Sequence, residues 1–191
     1  EYARVQERYQ FLQKQSQDLM AAKEYLATII NDIDKTMSKQ FSEAFRKIND
    51  YFGEIFGRLF GGGKAHLQLV EPNNLLDSGI EIFVQPPGKK QQNLMILSGG
   101  ERALTVIALL FAFLAYRPAP FSVVDEIDAA LDEANVERFS DFLRDYSQHT
   151  QFIVVTHRRN TMEAADVIHG VTIEESGVSR LLSVKLKEKS S

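Results

Sequence analysis

Cysteine is absent from all 191 residues, which excludes disulfide cross-links, thiolate zinc sites and cysteine nucleophiles, and fits a reducing compartment. Four histidines, at positions 66, 149, 157 and 169, lack the spacing of a metal-ligand set. No run of 18 apolar residues occurs: the longest stretch, around residues 103–116, is interrupted and about one turn too short, so no bilayer span is expected. The opening EYARVQERYQ holds no apolar signal segment. Basic excess is lacking as well, with 22 Lys and Arg against 26 Asp and Glu. Residues 1–60 carry nine charges of each sign, so the net charge of -4 arises wholly from residues 61–191. Such a chain has no bulk electrostatic means of wrapping nucleic acid by itself. What remains is the composition of an ordinary globular protein, long enough for one domain and an attachment.

Proline is missing until Pro72, and only Gly53 and Gly57 interrupt the first sixty residues before Gly61. This predicts a helix several times the usual globular length. An alternating four-three spacing runs through Val5, Tyr9, Leu12, Ser16, Leu19, Lys23, Leu26, Ile30, Ile33 and Met37, which is the seam of a left-handed coiled coil. The register then slips by one residue and resumes as Phe41, Phe45, Ile48, Phe52, Ile55 and Leu59. A slip of this kind unwinds the supercoil locally, so the stripe can turn from a partner helix toward a globular surface, and large rings suit a domain core. A plain amphipathic helix lying on its own domain is the alternative. At 1.5 Å per residue, however, residues 1–37 extend roughly 55 Å, more than a domain of about 130 residues covers. We therefore expect a coiled-coil segment and junction over 1–50 and an α/β domain over 51–191.

In that domain, residues 65–70 and 79–85 alternate with period two across a Pro/Asn-rich turn and read as paired strands. From Glu101 to Tyr116 the chain reads as a mostly buried apolar helix, stopped by Pro118 and Pro120. FSVV (121–124) reads as a short apolar strand ending in acidic residues. A helix is predicted from Asn135 to Tyr146 with Val136, Phe139, Phe142 and Leu143 on its inner side. QFIVVT (151–156) reads as a buried strand in the middle of a parallel sheet. The last segment reads as two strands around a Glu-Ser-Gly turn that close the same mixed sheet, with a frayed KEKSS tail.

Three places carry chemistry. Leu97-Ser98-Gly99-Gly100-Glu101 opens the apolar helix, where exposed backbone N–H groups and the Ser98 hydroxyl can receive phosphate oxygens. The alternative is an ordinary N-cap followed by a glycine turn. Asp125 and Glu126 end the FSVV strand, at the crevice where open α/β sheets bind ligands. Adjacent side chains diverge, so one can hold hydrated Mg²⁺ while the other faces an attacking water; the alternative is a solvated acidic turn. Asp128 and Asp132 thicken this cluster, and Asp128 is assigned to solvent. His157, after Thr156, lies just beyond a second strand and can hydrogen-bond a phosphate oxygen. His66, His149 and His169 have no such setting and are read as structural or surface residues.

LSGGE, an aliphatic strand ending in DE, then Ala130-Leu131-Asp132, then a strand ending Thr156-His157, follow in the order of signature motif, Walker B, D-loop and switch histidine. The set resembles the nucleotide-binding domain of ABC-type ATPases. The closer likeness is to the C-terminal head lobe of bacterial structural maintenance of chromosomes (SMC) proteins, through LSGGERALTVIALLFAFLAYRPAPFSVVDEIDAALDEANVERF, THRRNTMEAADVIHGVTIEESGVS and the aromatic-rich junction FSEAFRKINDYFGEIFGRLFGGGKAHLQL. The resemblance implies ATP and Mg²⁺ as cofactors. It implies that Ser98, Gly99 and Gly100 contact the γ-phosphate of nucleotide held by another head, with Glu101 capping that loop. Asp125 would hold the Mg²⁺ shell, Glu126 would act as base or water-polarising residue, Asp132 would cross the dimer interface and His157 would sense the γ-phosphate. The implied partners are an N-terminal SMC head lobe, a second SMC subunit, a kleisin subunit and, for the whole assembly, DNA. The implied setting is cytoplasmic and nucleoid-associated.

One part is missing: no GxxxxGK[ST] occurs. Gly63-Lys64 follows a helix instead of opening one, and is read as a helix stop. Without the loop the chain has no cradle for the α- and β-phosphates, so it reads as an excised half of a head, inactive alone. The competing readings are the head lobe of a related coiled-coil DNA-repair ATPase and a non-hydrolytic coiled-coil scaffold.

Overall fold

The computed structural model describes residues 1–148, 150–173 and 178–186. Its contacts divide the chain into two compact units, Glu1–Phe45 with Glu71–Ser78, and Arg46–Val70 with Gly79–Ser191. Helix α1 (Tyr2–Phe60) is continuous. Its seam residues are exposed from Val5 to Met37, as expected of a coiled-coil strand without its partner. In the first unit the short loop is closed by the Asn74 N–H donating to the Glu71 carbonyl and the Glu71 N–H donating to Ser78 Oγ.

In the second unit α1 turns its aromatic stripe inward. Ile48, Phe52, Ile55, Phe56, Leu59 and Phe60 are all buried; the four-three spacing had named Ile48, Phe52, Ile55 and Leu59 and missed the flanking Phe56 and Phe60. The rings of Phe56 and Phe60 stack at 4.1 Å. Gly61 ends the helix at φ +67. The Gly62 N–H reaches the Gly57 carbonyl at 2.7 Å and the Gly61 N–H reaches that of Arg58 at 3.3 Å, the paired bonds that satisfy the last carbonyls of a helix. The triplet is thus a helix stop.

Strands β1 (Lys64–Leu69), β2 (Ile80–Gln85) and β3 (Gln92–Asn93) form an antiparallel sheet in the order β1-β2-β3. Asn49 ties it to α1 by accepting from the Leu67 N–H at 2.6 Å. Gly53 permits close helix–strand approach, since a Cβ there would lie 3.1 Å from the Ala65 carbonyl oxygen. His66 stacks on Phe83 at 5.4 Å, a structural role.

Helix α2 (Gly99–Tyr116) is followed by β4 (Phe121–Asp125), α3 (Glu133–Tyr146) and β5 (Gln151–Val155). β4 and β5 pair in parallel from Phe121↔Gln151 to Asp125↔Val155. Phe111 is the hub of this layer, with its ring 5.0 Å from Phe142, 5.3 Å from Tyr146 and 5.7 Å from Phe152. Val136, Phe139, Phe142 and Leu143 are buried, as the helical pattern required. Arg58 fastens the end of α1 to α3 through Asp145 at 2.9 Å and the Phe142 ring at 5.1 Å.

Three expectations need correction. α2 is buried along Leu104, Thr105, Ile107, Ala108, Phe111 and Ala112, while Val106 and Phe113 are about half exposed. By length and composition it could cross a membrane, but the buried face of a core helix has the same composition. β5 is not a fully buried central strand, because Ile153 and Val155 face solvent and β4 is its one pairing partner among the described residues. The terminal strands β6 (Val167–Ile173) and β7 (Ser179–Lys185), preceded by α4 (Arg159–Glu163), form their own antiparallel pair and are not hydrogen-bonded into the β4-β5 sheet. The expected Glu-Ser-Gly turn, His149 and the KEKSS tail lie outside the described residues.

Candidate functional site

The amino end of α2 is built by a capping box. Ser98 Oγ accepts from the Glu101 N–H at 3.4 Å and donates to Glu101 Oε2 at 2.9 Å, while the Ser98 N–H donates to the same carboxylate at 3.2 Å. The N-cap alternative is thus realised here, and Glu101 is the residue that closes the loop. The N–H groups of Gly99 and Gly100, in the first turn, have no intrahelical acceptor and stay open to an anion. Lys89 supports Glu101 at 2.8 Å. That hydrogen bond, helped by those from Ser98, holds the Glu101 carboxyl below its ordinary value of 4.5 against the opposing effect of burial. Asp132 is the N-cap of α3, accepting from the Asn135 N–H at 2.9 Å and from Asn135 Nδ2 at 3.1 Å. A Cβ on Gly100 would lie 3.5 Å from Asp132 Oδ2, so the two helix starts are neighbours. Ser98, Glu101, Asp132, Lys89 and Arg138 line one open cleft of about 390 Å³.

The carboxyl ends of β4 and β5 make the second cluster. Asp125 and Glu126 are both exposed. The Glu126 N–H donates to the Val155 carbonyl at 2.9 Å, extending the parallel ladder by one bond. Its backbone then turns to φ +46, the lone positive value among the described non-glycine residues. A left-handed side-chain-bearing residue costs about 1–2 kcal/mol, and such strain is typical of functional positions. Glu126 Oε1 lies 3.2 Å from His157 Nε2. Two residues 31 positions apart, each named from the end of its own strand, therefore meet. His169, by contrast, lies on β6 opposite Ser183.

Asp128 reverses its assignment. It is 1% exposed and accepts from Thr156 Oγ1 at 2.6 Å and Thr161 Oγ1 at 2.5 Å. Arg158 closes the same region by donating to the carbonyls of Ala129 at 2.9 Å and Leu131 at 3.1 Å. Sequence reasoning missed Asp128, Arg158 and Thr161. The available signal was an aspartate followed by two alanines and a leucine, where a solvated turn would carry more polar residues, and a threonine-rich loop after β5 able to satisfy it.

Comparison with known proteins gives the family and the fold. The family described as RecF/RecN/SMC N terminal domain matches residues 3–180. The chromosome partition protein Smc of Bacillus subtilis (strain 168) is 58% identical over 188 residues, 98% of this chain but 16% of that protein. The chain thus spans about a sixth of the curated relatives it matches. Among solved structures, the Smc head domain with an extended coiled coil, bound to the C-terminal domain of ScpA and derived from Pyrococcus furiosus, matches with TM-score 0.76 and 41% identity, over 95% of this chain and 45% of that one. A chain from a study of ATP-driven dimerization and DNA stimulated activation of SMC ATPases matches with TM-score 0.71 and 41% identity, over 78% of this chain and 89% of that one. The fold is accordingly that of an SMC ATPase head, α/β and P-loop NTPase-like, and the chain belongs to the RecF/RecN/SMC family.

Proposed function

We propose that this chain is the C-terminal lobe of an SMC ATPase head, which hydrolyses ATP when completed by an N-terminal Walker A lobe and a second head. The observation that carries the reading is the meeting of Glu126 and His157 at the ends of paired parallel strands, in a chain that has no phosphate-cradling loop. The family description speaks of an N-terminal domain. Motif content favours the other half: signature, Walker B, D-loop and switch histidine are present in order, a long helix leads in, and Walker A is missing. The match to under half of a solved Smc head supports the same division. So does the apolar sheet face of Phe121, Val123, Ile153 and Val155, each about half exposed, because an apolar surface of this kind calls for a cover. The proposed division into a coil segment and junction over 1–50 and the lobe over 51–191 follows the change from exposed seam to buried aromatic stripe.

The donor chemistry fits Mg²⁺ and ATP in part. Mg²⁺ takes one or two carboxylates and completes its shell with phosphates and water; Asp125 is the carboxylate this chain offers, and no cluster of three metal-binding side chains exists among the described residues. Bound with ATP, Mg²⁺ supplies the positive charge that offsets charge developing on phosphoryl oxygens. Glu126 orients a water molecule and draws on its proton, with His157 Nε2 3.2 Å from its carboxylate. His157 Nε2 is also the donor that would report a γ-phosphate. The free N–H groups of Gly99 and Gly100 face the anion held by the opposite head. Ser98 joins them by turning its proton from Glu101 Oε2 outward, while Glu101 keeps the Ser98 N–H. Asp132, at the rim of the same cleft, meets the second head.

The implied partners are the N-terminal lobe, a second SMC subunit, a kleisin and, through the assembly, DNA; the solved relatives with ScpA and with ATP-driven dimerization support these. The chromosome partition relatives favour a role in chromosome organisation over one in repair, with the assembly nucleoid-associated in the cytoplasm. The test is a completed head carrying Glu126→Gln or Asp125→Asn. The first should bind ATP and fail to cleave it; the second should lose Mg²⁺-ATP affinity. An unchanged single-turnover rate in Glu126→Gln removes that residue from its role.

A further inference from the structure

We propose that Asp128 is a positioning residue, the centre of a buried latch that locks the loop carrying Glu126 and Asp132 to the loop carrying His157. The inference rests on the ATPase reading above for its consequence, but the latch itself stands on hydrogen bonds within this chain. Asp128 is a carboxylate almost wholly removed from water, and among the described residues its side-chain partners are hydroxyls. Its satisfied oxygen accepts two hydroxyls from separate places: Thr156, directly before His157, and Thr161, in α4. An unsatisfied buried acceptor is costly, so these hydroxyls cannot leave without stripping a buried carboxylate of its partners.

The bonds run in both directions across the gap. Thr156 Oγ1, besides donating to Asp128, accepts from the Arg158 N–H at 2.9 Å, so the residues on both sides of His157 share one hydroxyl. The Arg158 guanidinium returns to the carbonyls of Ala129 and Leu131. Asp128 also organises its own loop, where the Leu131 N–H donates to the Asp128 carbonyl at 3.1 Å and the Ala129 N–H to that of Glu126 at 3.0 Å. His157 and Glu126 are themselves exposed, with side chains 85% and 54% accessible. Two exposed side chains gain little from their own contact; what holds them at 3.2 Å is the buried latch beneath. The same latch sets Asp132, four residues beyond Asp128. Displacement of Asp132 by a second head would therefore be felt at the Glu126–His157 pair.

The test uses amide hydrogen exchange and turnover together. In the 191-residue chain, Thr161→Val deletes one hydroxyl in α4, far along the sequence from residues 126–132. Its expected effect is exchange faster by about tenfold or more at the amides of Ala129 and Leu131, with the amides of β1 and β2 unchanged. Asp128→Ala should do the same at both loops, and if it does not fold, Thr161→Val alone carries the measurement. Exchange at 129 and 131 unchanged in Thr161→Val overturns the latch. In a completed head, Thr161→Val should keep ATP affinity within about twofold while turnover falls roughly tenfold, because small misplacement of a reacting group has large kinetic effects. Restoring the hydroxyl with Thr161→Ser should return most of that turnover. Turnover unchanged despite faster exchange overturns the positioning role. A completed wild-type head that does not hydrolyse ATP at all refutes the ATPase reading instead, and leaves the exchange result to stand or fall separately.

Discussion

Ser98 is engaged twice by Glu101, which is in turn held by Lys89, so signature geometry depends on a carboxylate that acid can remove. Glu101 titrates below its ordinary value; a depressed folded value means its contribution is fully present above the ordinary value and is lost as pH falls through the folded one. Lys89→Met removes the largest cause of the depression. We predict that acid disruption of the capping box, followed by the amide shifts of Ser98 and Glu101, moves to higher pH in Lys89→Met; an unmoved midpoint would show that Lys89 is not the cause. Ser98→Arg should leave ATP affinity of a single completed head nearly intact yet abolish ATP-dependent head pairing, measured by size exclusion. Ser98→Ala, losing a hydrogen bond of about 0.5–1.5 kcal/mol, should only weaken it. Loss of nucleotide binding to the single Ser98→Arg head would contradict the trans role. The meeting of Glu126 and His157 could be anticipated because each follows an apolar run, whereas no side-chain contact among the described residues joins Asp125 to that pair. Asp128 was harder to read: the two alanines and leucine after it hint at burial, but the hydroxyls that satisfy it lie 28 and 33 positions away.

At the level of elements, glycines around the end of α1 separate tolerant from intolerant positions. A Cβ on Gly63 would clash with the Gln85 carbonyl oxygen, at φ +88, so Gly63→Ala should destabilise the second unit by about 1–3 kcal/mol. Gly57 lies inside the helix with nothing within 4 Å of its would-be Cβ, and Gly57→Ala should be neutral or stabilise by up to about 1 kcal/mol. Urea midpoints compare the two directly, and equal destabilisation would contradict the account of the turn. Phe111, fully buried among four other rings, should cost about 3–5 kcal/mol as Phe111→Ala. Element type was readable wherever periodicity was strong: the long helix, the β1-β2 pair and α3 follow their patterns closely. Burial of both faces was less so. An apolar run such as QFIVV shows only that a strand can be covered, and the cover for Ile153 and Val155 is absent from the described residues of this chain.

For the whole molecule, β4-β5 and β6-β7 are separate two-stranded sheets among the described residues. The motif order made the family legible, and the missing GxxxxGK[ST] is what motivates the proposed division between two lobes. The single mixed sheet expected from the strand pattern is not formed among the described residues, where β4-β5 and β6-β7 stay separate. The central claim is that catalysis is shared between lobes, and Mg²⁺-dependent ATP turnover tests it most directly. The purified chain should show none alone, and turnover should appear on mixing with an N-terminal lobe that carries an intact Walker A loop and vanish again when Glu126→Gln replaces the wild-type chain. Robust Mg²⁺-dependent turnover by the chain alone, sensitive to Glu126→Gln, would contradict it.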